Sequence, residues 1–190
     1  MQKVDVVILG AGAAGMMCAI EAGRRGRRVV LLDHADRVGK KILISGGGRC
    51  NFTNIHTRPE NFLSENPHFA KSTLARFTPA DIIAMIERHG IRYHEKTLGQ
   101  LFCDRSAQDV IAMLQKECTN SGVEIILSKR VLSLKQEGRF HVETASAIFE
   151  AESVVVATGG LSIPKMGATG FGYDMAKQFG LRVVPCSQWE

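Results

Sequence analysis

Six residues near the N-terminus, Gly10-Ala11-Gly12-Ala13-Ala14-Gly15, carry the clearest chemical signal in the chain. Glycines at this spacing, between an apolar run and a helix, build a phosphate-binding turn. Gly10 permits the bend, Gly12 admits a pyrophosphate close to the backbone, and Gly15 lets the helix pack on the strand. The free N–H groups at the helix start, with the positive end of its dipole, would face the phosphates. Asp33 ends the next apolar run, 18 residues beyond Gly15, where a carboxylate accepts bonds from ribose hydroxyls. An acid there also disfavours a 2′-phosphate. His34 follows it and is expected to line the nucleotide edge. A tight turn without a ligand is the bland alternative.

A second signal is Ser45-Gly46-Gly47-Gly48-Arg49-Cys50-Asn51-Phe52-Thr53-Asn54. Adjacent glycines expose backbone N–H groups, and Arg49, Asn51 and Thr53 add donors. That lining suits a pyrophosphate or a polar heteroaromatic ring. On composition alone it also fits a surface loop. Lys40 and Lys41 do not complete a Walker-type Gly-Lys-Ser/Thr, so a P-loop is excluded. Cys50 adjoins this stretch but has no second cysteine nearby in sequence, which favours a structural role over a redox one. The cysteines at 18, 50, 103, 118 and 186 form no C-x-x-C pair, and the histidines lack metal-ligand spacing. No disulfide framework or metal is expected, and a reducing, cytoplasmic setting is.

These residues need a scaffold of alternating strands and helices. Val4–Leu9 and Arg27–Leu32 read as buried strands flanking a helix over Met16–Arg25, which is a βαβ unit in a parallel sheet. Residues 39–61 read as an extended loop. Helices are expected over Pro67–Arg76, from Thr78 as N-cap with Pro79 behind it, and from Ser106 to Cys118. Val123–Leu127 is a strand. Val131–Leu134, Phe140–Thr144 and Ala147–Phe149 form a small antiparallel meander, Val154–Ala157 a further buried strand, and Gly170–Phe179 a last helix. The fold class is α/β, Rossmann-like, with a parallel sheet and inserted helices.

The chain has 190 residues, 45% hydrophobic, with a formal charge of +5. That composition excludes a disordered chain, and no apolar run reaches the length of a membrane span. Much of the positive excess sits in Arg24, Arg25, Arg27 and Arg28, which read as a solvated helix end. Nucleic acid is therefore not an expected partner.

Gly10–Gly15, Asp33, Gly39–Asn54, Ala157-Thr158-Gly159-Gly160, Pro164–Gly170 and Gly172-Tyr173 together resemble the HI0933-like flavoprotein family. These are bacterial FAD-dependent oxidoreductases of the two-dinucleotide-binding-domain superfamily. The resemblance implies adenosine phosphates over Gly10–Gly15 and ribose on Asp33, which stands where a longer Glu is more usual. It places the middle of FAD near Lys40, Lys41 and Gly46, Gly47, Gly48, Arg49, Cys50 and Asn51. Adenine would meet the backbone of Val131, and Ala157, Thr158 and Gly159 would pass near the cofactor. It further implies a second domain and a closing glycine-rich segment, so residues 1–190 are expected to be the FAD-binding domain of a longer enzyme.

The implied function is NAD(P)H-dependent reduction of an unsaturated or carbonyl-containing small molecule. FAD carries that chemistry, so no catalytic side chain is assigned. Two other readings are an inactive FAD-binding fragment and flavin-dependent nucleic-acid modification.

Overall fold

The computed structural model describes residues 1–161 and 169–184. They fall into two units, residues 1–40 with 114–190 and residues 41–113.

The first unit is built on a six-stranded sheet. Strand β1 (Gln2–Leu9) leads into helix α1 (Ala13–Arg24), which returns to β2 (Val29–Leu32). The β1–β2 pair is parallel, Val6 facing Val29 and Leu9 facing Leu32. All four residues of β2 are buried, as a strand covered on both faces requires. β6 (Glu124–Ile126) adds in parallel beyond β2. On the other side of β1 lies β9 (Ile148–Val156), also parallel, and then β8 (Arg139–Thr144) and β7 (Val131–Glu137), both antiparallel. The order is therefore β6-β2-β1-β9-β8-β7.

One core cluster, with Val4, Val7, Leu9, Val30, Leu32, Val142 and Phe149, sits under helix α6 (Phe171–Gln178), whose Phe171 and Met175 pack on it. Gly15, Met16, Ala19 and Ile20 form the buried stripe of α1, at the spacing of one helical face.

The second unit has its own three-stranded antiparallel sheet, β3 (Asn51–Asn54), β5 (Gln100–Cys103) and β4 (Tyr93–Glu95), in that order. Helices α3 (Lys71–Arg76) and α4 (Pro79–Arg88) lie between its strands in sequence. Thr78 caps α4 as expected: its hydroxyl accepts from the Asp81 N–H, and the Asp81 carboxylate accepts from the Thr78 N–H. Along the chain the division falls after the first residue of α2 (Lys40–Ile44) and within α5 (Ala107–Asn120).

Three expectations need correction. Residues 39–61 are not an extended loop: they hold α2, a tight turn at Ser45–Gly48, β3 and a short 3-10 turn at Pro59–Asn61. A five-residue helix is too short to show an apolar period, so the sequence pattern does not reveal it. Ala147–Phe149 and Val154–Ala157 are not separate strands. The polar Glu150, Glu152 and Ser153 lie within one continuous β9, which pairs with β8 at one end and with β1 throughout. The helix expected from Pro67 begins only at Lys71. Among the described residues no helix is long and apolar enough to cross a membrane.

Candidate functional site

The glycine turn sits at the carboxyl ends of β1, β2 and β9, where open parallel sheets bind ligands. Gly10 has φ +110°, and a Cβ there would lie 2.5 Å from the Ala157 carbonyl oxygen. Its N–H donates to Leu32 O at 2.8 Å, while Ala157 N–H donates to Leu9 O at 2.8 Å. Gly15 is tighter still, since a Cβ would meet the Gly10 carbonyl oxygen at 1.8 Å. Gly12 differs from both. It caps α1 in an extended conformation, no side chain caps the helix, and nothing lies within 4 Å of where its Cβ would stand. The turn therefore presents uncapped helix N–H groups, among them those of Ala13 and Ala14, beside open space. That is the cradle a pyrophosphate needs.

Asp33 does more than follow β2. Its Oδ2 accepts from the Ala11 N–H at 2.6 Å and its Oδ1 from the Ala35 N–H at 2.8 Å. The carboxylate thus ties the glycine turn to the end of β2, with His34 Nδ1 3.4 Å from Oδ1. Gly39 N–H closes the same turn by donating to Ala11 O at 2.9 Å. Ala11 and Gly39 act only through backbone atoms, so no side-chain pattern marks them. Asp33→Ala leaves two N–H groups without their acceptor and is expected to cost about 1–3 kcal/mol of stability. Urea denaturation reads this directly, and Asp33→Asn should lose less.

The β6–β7 connection arrives at the same place. Ser128 N–H donates to Ala35 O and Lys129 N–H to Asp33 O, each at 2.8 Å, shortly ahead of Val131 at the start of β7. At the end of β9, Val156, Thr158, Gly159, Gly160, Gly172 and Tyr173 line an open cleft of about 390 Å³. Val156, Gly160, Gly172 and Tyr173 line it in addition to the expected Thr158 and Gly159. Lys40 lies on the same unit, its Nζ 2.9 Å from Asp36 Oδ1, and that ammonium, followed by Arg37, holds the Asp36 carboxyl below its ordinary range. Residues Pro164–Ala168 of the family motif lie outside the described residues.

Lys41, Gly46, Gly47, Gly48, Arg49, Cys50 and Asn51 belong to the second unit. Gly46, Gly47 and Gly48 all have positive φ, 56°, 66° and 85°, so the Ser45–Gly48 turn is not a true helix. Gly46 lies against Phe102, whose ring would be 2.6 Å from a Cβ, whereas Gly47 faces open space. The chain then enters β3 through Cys50, buried and left-handed at φ 54°, with its N–H on Ser45 O at 3.0 Å. Arg49 O accepts from the Cys103 N–H at 3.0 Å.

Cys103 therefore lies beside the chain where it enters β3 at Cys50, a proximity that the 52 intervening residues conceal. Burial raises the Cys50 thiol, against a smaller opposing effect of Ser45, and burial together with Cys50, Asp109 and Asp104 pushes Cys103 up to about 12. Both thiols stay protonated near neutrality, which fits the structural role. At pH about 8, close to the ordinary thiol pKa, native Cys50 and Cys103 are expected to resist iodoacetamide and to react fully once unfolded. Mass spectrometry of the alkylated chain checks this; rapid native labelling of Cys50 would contradict it.

The arginine cluster is largely neutralised. Arg24 pairs with Glu21 and Glu117, Arg25 with Glu21, and Arg28 with Asp5. The reading of a solvated helix end holds for Arg24 and Arg25, whereas Arg28 stands directly ahead of β2, its carbonyl accepting from the Asp5 and Val6 N–H groups.

Residues 4–188 match the family described as HI0933-like protein Rossmann domain. The ribosomal RNA dihydrouridine synthase of Escherichia coli (strain K12) is 53% identical over 186 residues, covering 97% of this chain and 46% of that protein. The 3-dehydro-bile acid delta(4,6)-reductase of Clostridium scindens (strain ATCC 35704) is 32% identical, covering 94% of this chain and 44% of that protein. This chain thus spans about half the length of the curated relatives it matches. Among solved structures, the open conformation of a flavocytochrome c3 fumarate reductase superposes with a TM-score of 0.65 at 22% identity, over 93% of this chain and 40% of that one, a likeness of fold. The sheet order, the glycine turn at its carboxyl edge and a family match over nearly the whole sequence agree: the chain belongs to the HI0933-like family of Rossmann-domain proteins.

Proposed function

We propose that this chain is the FAD-binding part of a reductase that adds hydrogen across a carbon–carbon double bond conjugated to a carbonyl, with uridine in ribosomal RNA as its substrate. The observation carrying the cofactor half is Gly12: an uncapped helix start beside open space fits a dinucleotide pyrophosphate. Helix N–H groups from Ala13 onward would hold the phosphates, Asp33 the ribose, and the backbone near Val131 the adenine. Ala157, Thr158, Gly159, Lys40, Lys41 and Gly46–Asn51 would meet the rest of the cofactor. FAD, when bound, supplies the hydride chemistry, and NADH or NADPH would supply the electrons.

The substrate half rests on the relatives. Two, at 53% and 46% identity, are named ribosomal RNA dihydrouridine synthases. The third is named a delta(4,6)-reductase of a 3-dehydro-bile acid. A uracil ring and an unsaturated ketone share one reactive unit, a C=C polarised by a carbonyl, so one chemistry serves both. Reduction converts uridine, a proton and NAD(P)H into dihydrouridine and NAD(P)⁺. The greater identity to the RNA enzymes favours a uridine substrate over the small molecule expected from sequence, and a cytoplasmic setting agrees with it.

The test uses this sequence extended to the length of the Escherichia coli relative, incubated with FAD, NADH or NADPH and unmodified ribosomal RNA. RNA mass spectrometry should show a uridine gaining two hydrogens only when all components are present. Reduction of a steroidal dienone with no change in RNA would replace this reading with the small-molecule one.

A further inference from the structure

The second unit carries a surface that its own fold leaves uncovered. All ten residues from Glu60 to Phe69 are exposed. Leu63 is 85% exposed and Phe69 76%, with Phe62 and Phe77 also outside the core. Soluble surfaces tolerate apolar side chains scattered singly, but here Phe62, Leu63 and Phe69 are grouped within eight residues of one exposed segment, and such grouping points to an interaction site.

The segment is anchored at its start. Ile55 N–H donates to Gly99 O at 2.9 Å, and the Asn54 side-chain amide donates to Leu98 O at 2.9 Å. Those bonds hold Leu98 in a left-handed conformation, φ 59°, with its side chain 80% exposed. Leu63 and Leu98, the two most exposed large apolar side chains among the described residues, thus both stand on this unit.

Cations punctuate the aromatics. Arg58, Lys71 and Arg76 are exposed and join none of the ion pairs formed among the described residues. They contrast with Arg24, Arg25 and Arg28, which are held by carboxylates. Glu60 and Glu65 are the acids within the run. Exposed rings with unpaired cations between them are the composition that holds unpaired RNA: bases stack on the aromatic faces and phosphates meet the cations.

We propose that the segment Arg58–Phe77 is a docking surface for single-stranded RNA, presenting Phe62 and Phe69 to bases and Arg58, Lys71 and Arg76 to phosphates. It rests on the reading of RNA as substrate, and it assigns that recognition to residues apart from the glycine turn.

Fluorescence anisotropy of the 190-residue chain with a labelled uridine-rich single strand tests it. The same RNA as a duplex and anionic phosphatidylglycerol vesicles serve as competitors. The single strand is expected to bind best. The F62A/F69A double variant should weaken it at least about tenfold with FAD affinity unchanged. R58Q/R76Q should lower affinity and flatten its salt dependence by about 0.7 in log–log slope for each phosphate no longer neutralised.

Equal RNA affinity in wild type and both variants overturns the surface while leaving RNA as the substrate intact. No RNA binding by a wild-type chain that binds FAD overturns it too, as does tighter binding to vesicles. A change of F62A/F69A in oligomeric state by sedimentation, with RNA affinity untouched, would assign the patch to a second copy of the chain instead.

Discussion

Gly12→Val is expected to weaken FAD binding at least about tenfold, equivalent to ~1.4 kcal/mol, while leaving the urea midpoint nearly unchanged. The reason is local. Gly12 has φ −84° and ψ −171°, a conformation any residue adopts, and no protein atom lies within 4 Å of its Cβ direction. A valine there costs the fold little. Its branched side chain instead fills the space beside the uncapped N–H groups of α1, where a pyrophosphate would approach. Isothermal titration with FAD, paired with denaturation, separates the two effects. Unchanged FAD affinity would remove the phosphate site from this turn.

Three residues later the opposite outcome is expected. Gly15→Ala adds a carbon whose ideal position is 1.8 Å from the Gly10 carbonyl oxygen. Backbone cannot move aside as a side chain can, so α1 must shift off β1 and disturb the packing of Met16 and Ala19. Overpacking of this kind costs typically about 1–3 kcal/mol, and the backbone clash places this variant at the upper end. The urea midpoint should fall markedly, and any loss of FAD binding should follow the loss of folded protein. A Gly15→Ala chain as stable as the wild type would mean that the helix has room to spare above the strand. On this reading one turn would contain a glycine kept for a ligand and a glycine kept for packing.

That division shows what was legible in the sequence. The spacing of Gly10, Gly12 and Gly15 announces both roles because each depends on a neighbour close in sequence or on the strand just before it. The βαβ unit and the capped helix at Thr78–Asp81 were readable for the same reason. Features that rest on distant partners were not. Strand β5 makes sense only once β3 and β4 stand on either side of it, and its apolar Leu101, Phe102 and Cys103 alternate with nothing that marks a sheet. The two halves of β9 read as separate strands because Glu150 and Glu152 interrupt the apolar pattern, yet Glu150 lies near Lys3 and Arg139, and Glu152 pairs with Arg139, across the sheet.

Asp33 illustrates the same limit at the site. Its position after β2 is a sequence signal for ribose, but its bonds to the Ala11 and Ala35 N–H groups are set by tertiary geometry. The carboxylate is thus part of the turn's own framework, and a ribose would share it with the protein backbone. The surface from Arg58 to Phe77 is not marked by its residue types alone. Only exposure distinguishes Phe69 from a core phenylalanine such as Phe149.

Titration of the purified 190-residue chain with FAD, followed by visible absorption and flavin fluorescence, is the most direct measurement of what the glycine turn is for. Saturable binding is expected, with a yellow protein that keeps its flavin through gel filtration or regains it on adding FAD, and with Gly12→Val displaced to weaker binding. A folded, colourless chain that takes up NADH but not FAD in calorimetry would contradict it.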